Sequence, residues 1–155
     1  MIELEKVRVV FFDFDDTLCI HSIHKDLDYK VIKSATYRIF DKIGCRVNKQ
    51  MFNFIKQLKR SNIEMHLISA TGDKDRVALK LEWVLKRYGV DMIDSCVEHH
   101  VDKITKIKEY CGSQGLNYNE ALYIDDMYQN LDSATNIGIQ TCSPMEVVNY
   151  MNDKE

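Results

Sequence analysis

Proline and glycine are scarce in this sequence, with Pro144 the only proline and six glycines in 155 residues. So little of either leaves no Pro/Gly-rich linker. No internal repeat or low-complexity tract divides the chain, so one domain over residues 1–155 is the simplest organisation. Charge of one sign is lacking too: 21 Lys and Arg face 24 Asp and Glu, a formal net charge of -3, with no long run of either. No global field therefore favours nucleic acid or a membrane surface, and an anionic ligand must be held by local cations or a metal. Long hydrophobic runs are missing as well. Nothing approaches the roughly 20 apolar residues that cross a bilayer, and the apolar run at 7–12 is too short for the core of a secretion signal. Cysteine pairs are absent: Cys19, Cys45, Cys96, Cys111 and Cys142 contain no Cys-x-x-Cys. An odd, dispersed set fits reduced thiols and a cytoplasmic setting better than a disulfide framework or a zinc ribbon.

What is present reads as α/β. Hydrophobic residues make up 45% and charged residues 29%, a globular balance, and short apolar runs alternate with amphipathic stretches as in βα units on a mostly parallel sheet. Residues 7–12 are β-branched and aromatic, as a strand buried on both faces requires. Asn48 is placed to cap a helix to about Arg60, with Met51, Phe54, Ile55 and Leu58 on one face. A strand is expected over 63–69. A helix then opens at Asp73, with Val77, Leu81, Val84 and Leu85 as its apolar positions and Gly89 as its stop. Further on, the pattern predicts strands at 92–97, 121–124 and 139–142. It also predicts helices at 103–111, ended by Gly112, and 130–137, ended by Gly138. Ser143-Pro144-Met145-Glu146 has the spacing of a capping box with proline at the first helical position.

Open parallel sheets bind ligands at the carboxyl ends of their strands, so the residues just after each strand carry the chemistry. There the chain places Asp13-Phe14-Asp15-Asp16-Thr17-Leu18, then Ser69-Ala70-Thr71-Gly72, then Asp125-Asp126 with Asn130 beyond. Brought together, Asp13, Asp15, Asp16, Asp125 and Asp126 cannot all stay ionised without a cation. Hard oxygen donors suit Mg²⁺ rather than zinc or copper. A carboxylate beside such an ion is a candidate nucleophile toward phosphorus. On an extended segment, Asp13 and Asp15 point the same way, one to attack and one to pass protons. The Ser69 hydroxyl and free backbone N–H groups at Ser69 to Gly72, next to a helix start, would cradle phosphate oxygens.

These segments carry a family resemblance. Asp13-Phe14-Asp15-Asp16-Thr17-Leu18 after a hydrophobic strand resembles the first motif of the haloacid dehalogenase-like hydrolases. Ser69 at a strand end resembles their second motif, and Asp125-Asp126 after Ala-Leu-Tyr-Ile their fourth. The third is a lysine near a helix start. Lys103 matches it, 22 residues before Asp125 (125 − 103), a spacing similar to that of small capless members; Lys106 is the alternative. The resemblance spans essentially the whole chain. It implies a three-layer Rossmann-like fold and a Mg²⁺-dependent phosphatase in which Asp13 forms an aspartyl-phosphate and Asp15 acts as acid and then base. By the same implication Ser69, Ala70 and Lys103 hold the phosphoryl group. Mg²⁺ is held by the Asp13 carboxylate, the Asp15 main-chain carbonyl and Asp126, with Asp125 in support, while Thr17 orients the first loop and Asp16 and Asn130 are supporting residues.

Only about residues 19–47 are left for an insert between the first two motifs, enough for a small helix or flap with Tyr37, Ile39 and Phe40 but not for a full cap. No second cap fits between Ser69 and Lys103, 34 residues apart (103 − 69). By analogy, an open site serves large phosphorylated molecules or is closed by a second copy of the chain. Each residue alone has a plainer reading. An Asp-rich turn is usually solvated, Ser69 a strand-end hydroxyl and Lys103 a surface lysine; their weight lies in their joint register. His21, His24, His99 and His100 lack partners at zinc spacing. Lys49, Lys56, Lys59 and Arg60 read as a solvated helix face, Phe11, Phe12 and Phe14 as core, and Cys19 as a buried small side chain without the Cys-x5-Arg loop of thiol phosphatases. Two other functions stay open at this point: phosphotransfer to an acceptor other than water, and a silent phosphate-dependent binding module.

Overall fold

A computed structural model describes residues 2–20 and 46–155. The expected insert at 19–47, with its histidines and aromatics, lies almost wholly outside the described residues. Five parallel strands form the sheet: β1 (Val9–Phe12), β2 (Glu64–Leu67), β3 (Ile93–Asp94), β4 (Ala121–Ile124) and β5 (Gln140–Cys142), in the order β3-β2-β1-β4-β5. The central strand β1 pairs with β2 through Val9↔Glu64 and with β4 through Val9↔Ala121. All four of its residues are buried, as a strand covered on both faces must be. The strand order reverses beside β1, so the crevice expected of such a sheet opens between the ends of β1 and β4.

Among the described residues five α-helices cover the two faces: α1 (Lys49–Arg60), α2 (Lys74–Tyr88), α3 (Lys103–Gln114), α4 (Tyr128–Thr135) and α5 (Pro144–Asn152). Because side chains alternate along β1, Val10 and Phe12 pack with Met51, Phe54, Ile55 and Leu58 of α1, Trp83 and Val84 of α2 and Val147 of α5. Val9 and Phe11 pack on the other side with Ile104 and Ile107 of α3 and Leu131 of α4. This is the expected three-layer α/β arrangement. Among the described residues no cap domain is inserted, and no helix is long and apolar enough to cross a membrane.

Local signals set the helix starts. The side chain of Asn48 accepts from the N–H groups of Gln50 and Met51, and Ser143 and Glu146 close a reciprocal capping box. Gly89 ends α2 with φ 69°, a left-handed turn that costs glycine little. The helix beginning at Lys103 does not end at Gly112 as expected. It runs on to Gln114 and stops at Gly115, φ 64°, because an interior glycine weakens a helix without breaking it whereas the left-handed position ends it. Leu85, expected in the core, is 46% exposed. Cys96, Cys111 and Cys142 are free thiols, whereas Cys19 is disulfide-bonded, which corrects the expectation of reduced thiols throughout.

One polar network crosses the core. His66 on β2 is 1% exposed, with Nδ1 2.7 Å from Ser95 Oγ and Nε2 2.5 Å from Glu64 Oε1. Tyr110 donates its hydroxyl proton to the same Glu64 oxygen. Burial lowers the His66 pKa from 6.5, and the Lys106 charge adds to this against the pull of Glu64. A depressed folded-state pKa contributes stability in full above the unfolded value and loses it as pH falls through the folded one. Urea denaturation of the wild type and His66→Asn at pH 7.5 and pH 5.5 should therefore show the wild type losing more stability than the variant at the lower pH. Equal losses would refute a buried neutral imidazole.

Candidate active site

Asp13 follows directly on β1, and its N–H donates to the Ile124 carbonyl at 2.9 Å, tying it to the end of β4. The next residues curl tightly. The Phe14 carbonyl accepts from the N–H groups of Thr17, Leu18 and Cys19, and Asp16 N–H donates to Cys19 O at 2.8 Å. Asp16 sits at φ 57°, a left-handed conformation that aspartate tolerates better than most residues. The curl returns the fully buried Thr17, whose Oγ1 donates to Asp13 Oδ2 at 3.5 Å.

At the end of β4, Asp125 is wholly buried and well supplied with donors. Its Oδ1 accepts the Met127 N–H at 2.8 Å. Its Oδ2 accepts Asn130 Nδ2 at 3.1 Å, Lys103 Nζ at 3.3 Å and the Tyr123 hydroxyl. Asp102 caps α3 by accepting the Ile104 N–H. Lys103 is thereby the first helical residue, and its Nζ lies 2.7 Å from Asp13 Oδ1. Carboxylate oxygens of Asp13, Asp125 and Asp126 lie within 4.8 Å of one another.

The electrostatics follow from this crowding. Burial, with the neighbouring Asp125 and Asp15 charges, pushes Asp13 up to about 6 against the pull of Lys103. Asp126 rises to about 7 through burial and the proximity of Asp13 and Asp125. Asp125 is held low despite its burial, because Lys103 and its hydrogen bonds favour the anion. Burial works against the charge of Lys103, but Asp13 and Asp125 outweigh it and raise its pKa. Three carboxylates so close share protons unless a cation joins them.

Ser69, just beyond β2, is 2% exposed, and its neighbours differ from expectation. The Thr71 N–H is already taken by the Val97 carbonyl at 2.7 Å, so the backbone cradle expected over 69–72 lacks that donor. A side chain that sequence reasoning missed stands there instead. Lys80 of α2, 3% exposed, places Nζ 2.6 Å from Ser69 Oγ, 2.8 Å from Thr71 Oγ1 and 3.8 Å from Asp15 Oδ2. Burial lowers its pKa, opposed first by the Asp15 charge. A signal did exist. Lys80 falls three residues after Val77 and four before Val84, on the apolar stripe of its helix, where a lysine needs a reason.

The remaining expected residues sort clearly. Asp15 stays more than half exposed at the rim, facing Lys80. Lys106 is half-buried and acts on His66, in the network behind α3. His99 is exposed, and His100 pairs with Glu98 at 3.5 Å on the surface. A shallow cleft of about 390 Å³ lined by Leu4, Arg8 and Tyr150 contains none of the expected site residues.

A Rossmann-like sheet with an Asp-x-Asp turn after its central strand, and a lysine and an aspartate pair beside it, defines a haloacid dehalogenase-like hydrolase. The chain belongs to the acid phosphatase family within that class, for it matches the family model described as Acid Phosphatase over residues 5–148. Among solved structures it is similar to the cobalt-bound deoxy-D-mannose-octulosonate 8-phosphate phosphatase of Haemophilus influenzae, at 17% identity and TM-score 0.56, covering 90% of this chain and 70% of that one. The 3-deoxy-D-manno-octulosonate 8-phosphate phosphatase of Moraxella catarrhalis, in complex with magnesium, phosphate and the sugar acid, matches at 16% identity and TM-score 0.51, covering 84% of this chain and 63% of that one. A haloacid dehalogenase-like hydrolase of Streptococcus pneumoniae matches at 16% and 0.58, covering 94% and 91%. At these identities the likeness shows the fold, and the chain spans about two thirds of the length of the octulosonate phosphatases. No curated protein sequence matches the chain significantly.

Removing one partner of a buried ion pair leaves the other uncompensated, at about 3–5 kcal/mol. Lys103→Met should accordingly lower the unfolding free energy of the metal-free protein by that order at pH 7.5, read by urea denaturation. A loss within error of zero would mean that Lys103 does not compensate Asp13 and Asp125.

Proposed function

We propose that the protein is a Mg²⁺-dependent phosphatase that hydrolyses a phosphate monoester through an aspartyl-phosphate on Asp13. The observation that carries this reading is the position of Asp13, a carboxylate touched at once by Lys103 at 2.7 Å and Thr17 at 3.5 Å and within reach of Asp125 and Asp126. Asp13 attacks phosphorus in line with the leaving oxygen, the P–O ester bond breaks, and Asp15 gives its proton to the departing alcohol or phenol. Asp15 then takes a proton from water as that water attacks phosphorus, releasing inorganic phosphate and restoring the Asp13 carboxylate. Its exposed place at the rim suits both proton transfers. Ser69, the Ala70 backbone and Lys103 hold the phosphoryl oxygens, while Thr17, Asp16 and Asn130 keep the loops in register.

A donor set of hard carboxylate oxygens fits Mg²⁺. When bound it would neutralise charge on the phosphoryl group and on the acids around it. Asp13, the Asp15 main-chain carbonyl and Asp126 would hold it directly. Asp125, its oxygens engaged by donors from Met127, Asn130, Tyr123 and Lys103, would support them. Sugar-acid phosphates, the substrates named for two structural neighbours, belong in a first substrate panel beside nucleotides, phosphotyrosine and polynucleotide ends. A cytoplasmic setting suits the three free thiols, and the Cys19 disulfide is the feature that counts against it.

Hydrolysis of an aryl phosphate should require Mg²⁺ and fall to background in Asp13→Asn, while Asp126→Asn should need much more Mg²⁺ to reach its maximal rate. Rapid quenching during turnover, followed by borohydride reduction and peptide mass spectrometry, should find homoserine at position 13. An Asp13→Asn variant as active as the wild type would overturn the mechanism.

A further inference from the structure

Lys80 has no part in the proposed phosphatase mechanism, although it is the most deeply buried cation described in the crevice, 3% exposed against 13% for the Lys103 side chain. An ammonium so placed is costly. Desolvating an ion takes several kcal/mol before its partners repay it, and a leucine at this position would continue the apolar stripe from Val77 to Val84. Its Nζ lies over the Phe14 ring, 5.1 Å from the centroid. Phe14 lies between the two acids of the first motif, so the helix that follows β2 is braced against the loop that follows β1.

The geometry at Nζ decides what the charge does. Lysine only donates, so Ser69 Oγ and Thr71 Oγ1, at 2.6 and 2.8 Å, must accept from it. Neither hydroxyl spends its own proton on the ammonium. The two oxygens are 3.4 Å apart, a long hydrogen bond in which either could donate, and close enough for both protons to turn to two oxygens of one phosphoryl group. The charge behind them also polarises both O–H bonds, and it lies 3.8 Å from Asp15 Oδ2.

We infer that Lys80 is a positioning residue that turns Ser69 and Thr71 into a two-hydroxyl fork for the phosphoryl group, so that Thr71 is a phosphate-binding residue beside Ser69. Lys103 and Lys80 then flank the transferring group, one on the Asp13 and Asp125 carboxylates and one behind the hydroxyls. The inference rests on the phosphatase reading for its role in turnover, and on geometry alone for its role in binding phosphate.

The test uses Lys80→Met, Lys80→Arg and Thr71→Val in the full chain, with Mg²⁺, and two readouts: kcat and KM for an aryl phosphate, and the dissociation constant of inorganic phosphate by calorimetry. Loss of one preorganised donor group costs about 10²-fold in turnover. Lys80→Met should accordingly lose about that in kcat/KM, with the larger share in kcat. Its phosphate affinity should fall about tenfold or more, as removal of a charge-assisted contact predicts. Its melting temperature should stay equal or rise, since an apolar side chain of similar shape avoids desolvation. Lys80→Arg should recover part of both losses. Thr71→Val should weaken phosphate binding in the wild-type background but add little to Lys80→Met. An active wild type whose Lys80→Met and Thr71→Val variants match it in phosphate affinity and kcat overturns the inference. So does a wild type that binds phosphate no better than these variants. A wild type that turns over no ester, yet binds phosphate through Lys80 and Thr71, sinks the phosphatase reading and leaves the fork standing.

Discussion

Carboxylate crowding at the ends of two adjacent parallel strands is the constraint to which the rest of the molecule answers. β1 and β4 are hydrogen-bonded neighbours in register, so the acids that follow them, Asp13 and Asp125, are forced together in a buried setting. Each charge raises the cost of the next. The fold meets that cost by delivering a cation and donors from three elements. Lys103 comes from the first turn of α3, Asn130 from α4, and the Tyr123 hydroxyl from β4 itself.

The layering of the domain follows from the same need for precise delivery. Two separate cores lie on the two faces of β1, and each holds the helices that carry one lysine. α2, with Lys80, packs through Trp83 and Val84 against the Val10 and Phe12 face. α3, with Lys103, packs through Ile104 and Ile107 against the Val9 and Phe11 face. The lysines thus reach the crevice from opposite sides of the sheet. Their positions are fixed by apolar packing that has nothing to do with charge, as preorganised electrostatics requires. The caps serve the same end, for Asp102 sets the first residue of α3 and so the position of Lys103.

Much of the site was legible because its residues sit at element boundaries, where sequence signals are strongest. Asp13, Ser69 and Asp125 each follow an apolar run, and Lys103 follows a capping aspartate. Asn48, Gly89 and the Ser143 box marked helix ends for local reasons. Gly112 misled because glycine punctuates a helix only where the backbone turns left-handed, and that happens three residues later. Lys80 went unread because a lysine inside an amphipathic pattern counts by default as surface. Only the position of Ser69, Thr71 and Asp15 in space shows why this one is turned inward.

Sequence alone determined the order of strands and helices, the family, and the identity of the residues that follow each strand, because these depend on periodicity, caps and local motifs spanning a few residues. Tertiary structure decided which of those residues meet. It put Lys103 rather than Lys106 on Asp13, placed Lys80 behind two hydroxyls, gave the Thr71 N–H to the Val97 carbonyl, and left Asp15 at the rim while burying Asp125. These outcomes turn on distances of a few ångströms between segments tens of residues apart. Such distances are set by strand register and by the packing of helices on both faces of the sheet, and no local pattern encodes them.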